Sequence, residues 1–306
     1  MAFNLAVFKT RTLTAIIFAA VMLAGLLWNH WSFFILFSII HFGCWVEYQK
    51  LVGLIDPGYK NISVVHKYGV MTAGWGLMWA FSRNVFGMYS ISWWWLLIFI
   101  PLILVMDWLV KKQVQLKNIS HSIFGVIYIS LSWALMMCLY DAELYLSNDN
   151  IPFAKEPFSI LHFDNTWFLP VLVIACMWIN DTMAYIVGSL IGKTPLSKIS
   201  PKKTWEGTMG GVILCVALVG LILSSDWMAQ YEPVLLRINH IHWYIIAAIA
   251  AITGTIGDLL ESKLKRLAGV KDSGKLMPGH GGFLDRFDSL LVATPFVWLY
   301  VILFLR

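Results

Sequence analysis

Carboxylates, basic side chains and glycines gather toward the C-terminal end of this chain. Asp258, Glu261 and Lys265 stand at i, i+3 and i+7, so a helix through "GTIGDLLESKLKR" carries all three on one face. The following stretch, "KDSGKLMPGHGGFLDRFDS", supplies Lys271 and Asp272, then Gly279, Gly281 and Gly282 around His280, then Asp285, Arg286 and Asp288. Asp285 and Asp288 share a face if a helix begins there. Glycine lets backbone N–H groups approach an anion closely, and clustered carboxylates offering only oxygen suit Mg2+ rather than zinc. These residue types describe a site for a polyanion carried with Mg2+, and the obvious ligand of that kind is a nucleoside triphosphate. His280 has three roles open to it: proton transfer, phosphate binding, or a hydrogen-bonding prop for its loop.

A second basic segment, "GSLIGKTPLSKISPKKTWEGTMGG", must be weighed beside the first. Its Gly192-Lys193-Thr194 looks like the end of a Walker A loop, but Val187 stands where that motif requires glycine and no strand precedes it. Ser200, Lys202, Lys203 and Thr204 are candidates for a phosphate or a lipid headgroup, although plain positive-inside topology also places lysines here. Gly207 and Gly211 lie four apart in an apolar run, a spacing that marks close helix packing. Asn180 and Asp181, like Asp258, sit within or at the ends of apolar runs. A charge at the centre of a spanning helix costs roughly 2.5–3.5 kcal/mol, so such groups are expected to face a partner, an ion or a wet cavity.

The elements that must position these residues are membrane helices. Of 306 residues, 59% are hydrophobic and 13% charged, and mean hydropathy is +0.73, far from an ordinary soluble domain. Runs long enough to cross ~30 Å of hydrocarbon fall near 13–28, 31–48, 68–88, 90–109, 120–140, 167–190, 207–225, 242–261 and 287–305. The expected fold is therefore all-α, a polytopic integral membrane protein with about nine transmembrane helices. With the N-terminus cytoplasmic and the C-terminus outside, all of the 22 Lys and Arg except Arg83, Lys155, Arg237 and Arg306 fall on the cytoplasmic side. The first run lacks a small-residue cleavage site and reads as an uncleaved helix. Cys44, Cys138, Cys176 and Cys215 are scattered singly through apolar runs and read as packing residues. Residues 1–165 read as an N-terminal scaffold of about five spans, and 166–306 as a catalytic region of about four spans with two basic cytoplasmic loops. Those loops are too short to fold alone, so the chemistry must be built at the membrane surface.

The stretch "SKLKRLAGVKDSGKLMPGHGGFLDRFD", residues 262–288, resembles the signature of phosphatidate cytidylyltransferases, the CDP-diacylglycerol synthases. Ser262, Lys265, Arg266, Lys271, Asp272, Gly274, Pro278, His280, Gly281, Gly282, Asp285, Arg286 and Asp288 carry the resemblance. The upstream "NDTMAYIVGSLIGKTPLSKISPKKTWEG" is similar to the family's second block through Asp181, Tyr185, Gly188, Gly192, Ser200, Pro201, Lys202, Lys203, Thr204, Glu206 and Gly207. Met277 departs from the family's usual Ile, Leu or Phe, one apolar side chain for another. The resemblance covers about 180–289.

What the resemblance implies is a Mg2+-dependent reaction of CTP with phosphatidic acid that yields CDP-diacylglycerol and pyrophosphate. It implies metal binding at Asp258 and Asp285, with Asp288 close by, alone or with a second cation. Lys271 and His280 join these aspartates as catalytic candidates. Ser200, Lys202 and Lys203 are expected to hold the phosphatidate head, and Lys265, Arg266, Lys271 and Arg286 to compensate the pyrophosphate. Ser262, Gly281 and Gly282 complete the substrate-binding set. The partners expected are CTP, phosphatidic acid, membrane lipids and a second copy in a homodimer, with no nucleic acid. The expected location is the inner (plasma) membrane, with the active site on the cytoplasmic face. Two rivals are a CTP-dependent enzyme acting on a polyprenol or archaeal-type lipid, and an ion-coupled transporter. Against the transporter, the polar residues gather at one face and no inverted repeat relates the halves.

Overall fold

The structure, a computed structural model, describes residues 5–82, 116–141, 144–145, 160–161, 167–225, 228, 238–274 and 281–305. Its helices are α1 (Leu5–Leu27), α2 (His30–Ile55), the short α3 (Pro57–Lys60) and α4 (Val64–Phe81), then α5 (Leu116–Gly125), which passes through a π-helical turn (Val126–Leu131) into α6 (Ser132–Tyr140). The C-terminal helices are α7 (Phe168–Ile191), α8 (Trp205–Leu223), α9 (Ile241–Leu267) and α10 (Leu284–Phe304). A two-residue antiparallel pair, β1 (Leu144–Tyr145) with β2 (Ile160–Leu161), lies between α6 and α7. Among the described residues six helices are long and apolar enough to cross a membrane: α2, the continuous α5–α6, α7, α8, α9 and α10. The chain is thus an all-α integral membrane protein. The run near 90–109 lies outside the described residues, as do Arg83 and the end of the run that carries it.

The chain forms two compact units. Met1–Cys138 with Leu260–Leu291 make the first, and Leu139–Leu259 with Val292–Arg306 make the second. In the first unit the α1–α2 turn is closed by a capping box, in which the Asn29 side chain accepts from the Ser32 N–H and the Ser32 hydroxyl accepts from the Asn29 N–H. Phe37, Cys44, Trp45 and Trp133 are fully buried. Polar groups here have no bulk water to turn to, so they pair with one another. Trp45 Nε1 donates to Ser130 Oγ at 2.9 Å, and His41 Nε2 lies 3.0 Å from the same oxygen. Ser130 sits in the π-helical turn. At the α2–α3 turn Asp56 caps Gly58, and the Lys117 ammonium at 2.9 Å holds its carboxyl below the usual range. Ser132 Oγ, 2.5 Å from the Leu291 carbonyl, ties α6 to α10.

In the second unit α7 and α8 touch backbone to backbone. A Cβ on Gly207 would lie 2.7 Å from the Ala184 carbonyl oxygen, and one on Gly211 would lie 2.8 Å from both Ala184 Cβ and the Asn180 carbonyl oxygen. The four-residue glycine spacing therefore does serve close helix packing. Edge-on contact of Phe168 with Trp243, 5.9 Å between centroids, and a 2.7 Å hydrogen bond between His242 and Tyr300 fix α9 against α7 and α10. Gly211→Val is expected to cost about 1–3 kcal/mol, the scale of overpacking, because helix backbone cannot give as a flexible side chain can. Thermal denaturation in detergent would show it as a lowered midpoint.

Candidate active site

Several of the residues singled out in the sequence fall into two clusters, one in each unit. The first is a cleft of about 430 Å³ between α7, α8, α9 and the loop joining α7 to α8. Asn180, Asp181, Tyr185 and Ser189 of α7 line it, with Lys202, Lys203 and Thr204 of the loop, Thr208 of α8, and Thr255 and Asp258 of α9. Lys203 Nζ is 2.6 Å from Asp258 Oδ2, and both side chains keep about a third of their surface open to solvent (33% and 27%). Asn180 is buried; its Nδ2 donates to Thr255 Oγ1 at 3.4 Å, and its Oδ1 has no partner among the described residues.

The loop that delivers the lysines is shaped by its own ends. Glu206, in the first turn of α8, accepts from the N–H groups of Lys193 and Thr194 and from the Thr194 hydroxyl at 2.8 Å. Thr194 and Leu196 in turn pair with Trp205 and Lys203 across the loop. Thr204 Oγ1 caps α8 by accepting from the Gly207 N–H at 3.1 Å. The turn Ser200-Pro201-Lys202-Lys203 closes through the Lys203 N–H to the Ser200 carbonyl, which leaves Lys202 exposed at its tip. Ser200 belongs to this turn but not to the cleft wall.

The second cluster lies where α9 ends and α10 begins. Asp285 Oδ2 accepts from the Gly282 N–H at 2.8 Å and the Ser273 N–H at 2.9 Å, and Oδ1 accepts from Lys265 Nζ at 2.7 Å. Lys265 also pairs with the fully buried Glu261 one turn earlier. Gly281 holds φ +85°, a left-handed conformation that favours glycine, and a Cβ there would also meet Asp285 Oδ2 at 2.6 Å. Asp288 is buried and accepts from the Ser289 N–H at 2.6 Å. Arg266, Lys271 and Arg286 are exposed, and Ser262 is half-buried. His280 lies outside the described residues, together with Lys275, Met277, Pro278 and Gly279.

The structure thus brings Lys265, Gly281, Gly282 and Asp285 together in one cluster, and Lys202, Lys203 and Asp258 in the other. Helix α9 runs unbroken through Asp258, Glu261 and Lys265. Two contributors escape a reading of the motifs alone. Ser273 lies inside the signature without standing out, and Glu47 reaches in from α2, with Oε2 accepting from the Leu284 N–H at 2.9 Å. Glu47 follows a stretch, Phe33–Val46, with no other acidic or lysine or arginine side chain. The cost of a charge in an apolar span, the same rule that marks Asp181 and Asp258, would have flagged it.

Hard-cation donors are present in both clusters. Asp258, Asp181 and the orphaned Asn180 Oδ1 give the first a wholly oxygen set. In the second, the Lys265 ammonium already bridges Glu261 and Asp285, which marks a place where positive charge is held. Among the described residues no group of three or more His, Cys, Asp or Glu stands at metal-binding spacing. Mg2+ needs no such cage, since one or two carboxylates with substrate phosphates complete its shell.

Residues 9–304 match the model of the Cytidylyltransferase family. The chain is similar to the phosphatidate cytidylyltransferase of Synechocystis sp., with 37% identity over 204 residues that cover 63% of this chain and 66% of the relative. Against the phosphatidate cytidylyltransferase of Bacillus subtilis, identity is 42% over 139 residues, 44% of this chain and 49% of the relative. Against phosphatidate cytidylyltransferase 5, chloroplastic, of Arabidopsis thaliana, it is 32% over 195 residues, 61% and 46%. The matched stretches span between 46% and 66% of these relatives' own length.

Proposed function

The chain belongs to the Cytidylyltransferase family, and on that premise we propose that it transfers the cytidylyl group of CTP to phosphatidic acid, giving CDP-diacylglycerol and pyrophosphate. The observation that carries this reading is the cleft where Lys203 and Asp258 meet, set beside the exposed apolar side chains Tyr185, Leu190, Trp205 and Met209. A lipid whose acyl chains stay against that apolar surface can present its phosphate to the lysines.

The attacking group is a phosphate monoester oxygen of the lipid, already ionised near pH 7, so no general base is required. It bonds to the α-phosphorus of CTP while the bond from that phosphorus to the α,β-bridging oxygen breaks. The electron pair leaves with pyrophosphate. Two anions must meet in line, so catalysis consists of neutralising charge and fixing geometry. Ser200, Lys202 and Lys203 would hold the phosphatidate head. Lys265, Arg266, Lys271 and Arg286 would compensate the pyrophosphate, and Gly281, Gly282 and Ser262 would line its approach. Asp258, with Asp181 and Asn180 beside it, would hold Mg2+ in the cleft of the second unit, and Asp285 and Asp288 are proposed as metal ligands in the cluster of the first. When bound, the ion neutralises the triphosphate and polarises its phosphoryl oxygens.

Nine crossings are proposed from the apolar runs, and the bias of basic residues supports an N-terminus inside, a C-terminus outside and an active site on the cytoplasmic face, proposed to be that of the inner membrane. A homodimer is the assembly proposed, as the commonest symmetric one. Purified protein given Mg2+, CTP and phosphatidic acid is expected to form a CDP-lipid and pyrophosphate in equal amounts, read by mass spectrometry. Product only with a polyprenol or archaeal-type lipid would replace the lipid half of the reading.

A further inference from the structure

Glu47 lies in the apolar helix α2, where an acidic side chain is expensive to bury unless it is fully engaged. It is 7% exposed, and its hydrogen-bond partners among the described residues, Ser273 and Leu284, both precede Asp285 in the chain. Oε2 accepts from the Leu284 N–H at 2.9 Å and lies 2.7 Å from Ser273 Oγ. The single Ser273 hydroxyl proton is shared between Glu47 and Asp285 Oδ2, 2.9 Å away, so Ser273 links the two carboxylates. The fit around Glu47 is close: a Cβ at Gly274 or at Gly282 would overlap its carboxylate. One turn earlier on α2, Gly43 leaves the notch that the Phe283 ring fills.

We propose that Glu47 is a positioning residue for the transfer reaction, clamping both ends of the Ser273–Leu284 segment to α2 so that Asp285 and the glycine N–H groups stand in register. The proposal rests on the cytidylyl-transfer reading above. It gives the N-terminal region a direct part in a site that the motifs place wholly in the C-terminal half. Glu47 touches no reacting atom; it acts through Ser273, Leu284 and Asp285.

The test compares Glu47→Ala, Glu47→Gln and Gly282→Ala in the full chain in detergent, each checked for monodisperse elution. Glu47→Ala is expected to lower kcat/KM for CTP by about 10²-fold, the scale of misplacing a site by an ångström. Its KM for CTP rises, and trypsin cleaves faster after the exposed Lys271. Glu47→Gln keeps an acceptor for Ser273 and Leu284, and recovers activity to within about 10-fold of the parent. Gly282→Ala pushes against the carboxylate, so its loss should not add to that of Glu47→Ala in the double variant. Unchanged kinetics in Glu47→Ala would overturn the proposal. So would a fall in kcat with KM for CTP unmoved and no rescue by glutamine, which is the pattern of a merely structural residue. If Glu47→Ala does not accumulate, the glutamine variant and Gly282→Ala carry the same decision. A parent protein that makes no CDP-lipid would fail the reaction reading, and the tryptic contrast would then decide the clamp by itself.

Discussion

Asp258→Asn is expected to lower turnover by at least about 10²-fold, the loss that follows removal of one electrostatic stabiliser, and to raise the Mg2+ concentration needed for half-maximal rate several-fold. The substitution keeps the size of the side chain but removes the charge that faces Lys203 across the cleft. Both groups are partly open to solvent, so folding should barely change, as for exposed ion pairs. A titration of rate against Mg2+ beside a thermal melt separates the two effects. Near-parent turnover with an unshifted Mg2+ midpoint would remove Asp258 from the site.

Asp285→Asn should cost as much turnover and, unlike Asp258→Asn, should cost stability too. The native carboxylate takes two backbone N–H groups on Oδ2 and the Lys265 ammonium on Oδ1. An amide can replace only one of those acceptors and turns an NH2 toward another donor. Lys265, with 14% of its side chain exposed, would be left to the buried Glu261 alone. Breaking a buried pair in this way costs about 3 kcal/mol. The expected result is a lowered melting midpoint together with a fall in rate of about 10²-fold that saturating Mg2+ does not restore. A stable protein with ordinary turnover would show that neither loop geometry nor charge depends on Asp285.

The contrast between the two aspartates shows what the sequence could and could not convey. Hydropathy located the six described helices that are long and apolar enough to cross a membrane, because an apolar run of that length has no other stable use. It placed their ends less well: α2 continues to Ile55 and α9 to Leu267, past the runs ending near 48 and 261. Amphipathic helix ends reach beyond the hydrocarbon, and for α9 this puts Lys265 and Arg266 on the helix. The glycine pair Gly207 and Gly211 was legible as a packing device, since only a missing Cβ allows such an approach. That Asp285 holds its own loop was not legible, because spacing along a chain does not say which N–H groups turn inward. The engagement of Glu47 with that loop was hidden for a related reason, although its charge in an apolar span was visible. Its partners lie more than 220 residues away, as in the 226-residue separation from Ser273, and no local motif spans that distance.

The central claim, that a cytidylyl group moves from CTP to a lipid phosphate, is tested most directly by following two labels. Purified protein is incubated with phosphatidic acid, Mg2+ and CTP labelled at either the α- or the γ-phosphorus, and the lipid and aqueous phases are then separated. The account predicts α-label in the lipid phase as a CDP-lipid and γ-label wholly in aqueous pyrophosphate. Label from the γ-phosphorus in the lipid, or none from the α-phosphorus, would contradict it.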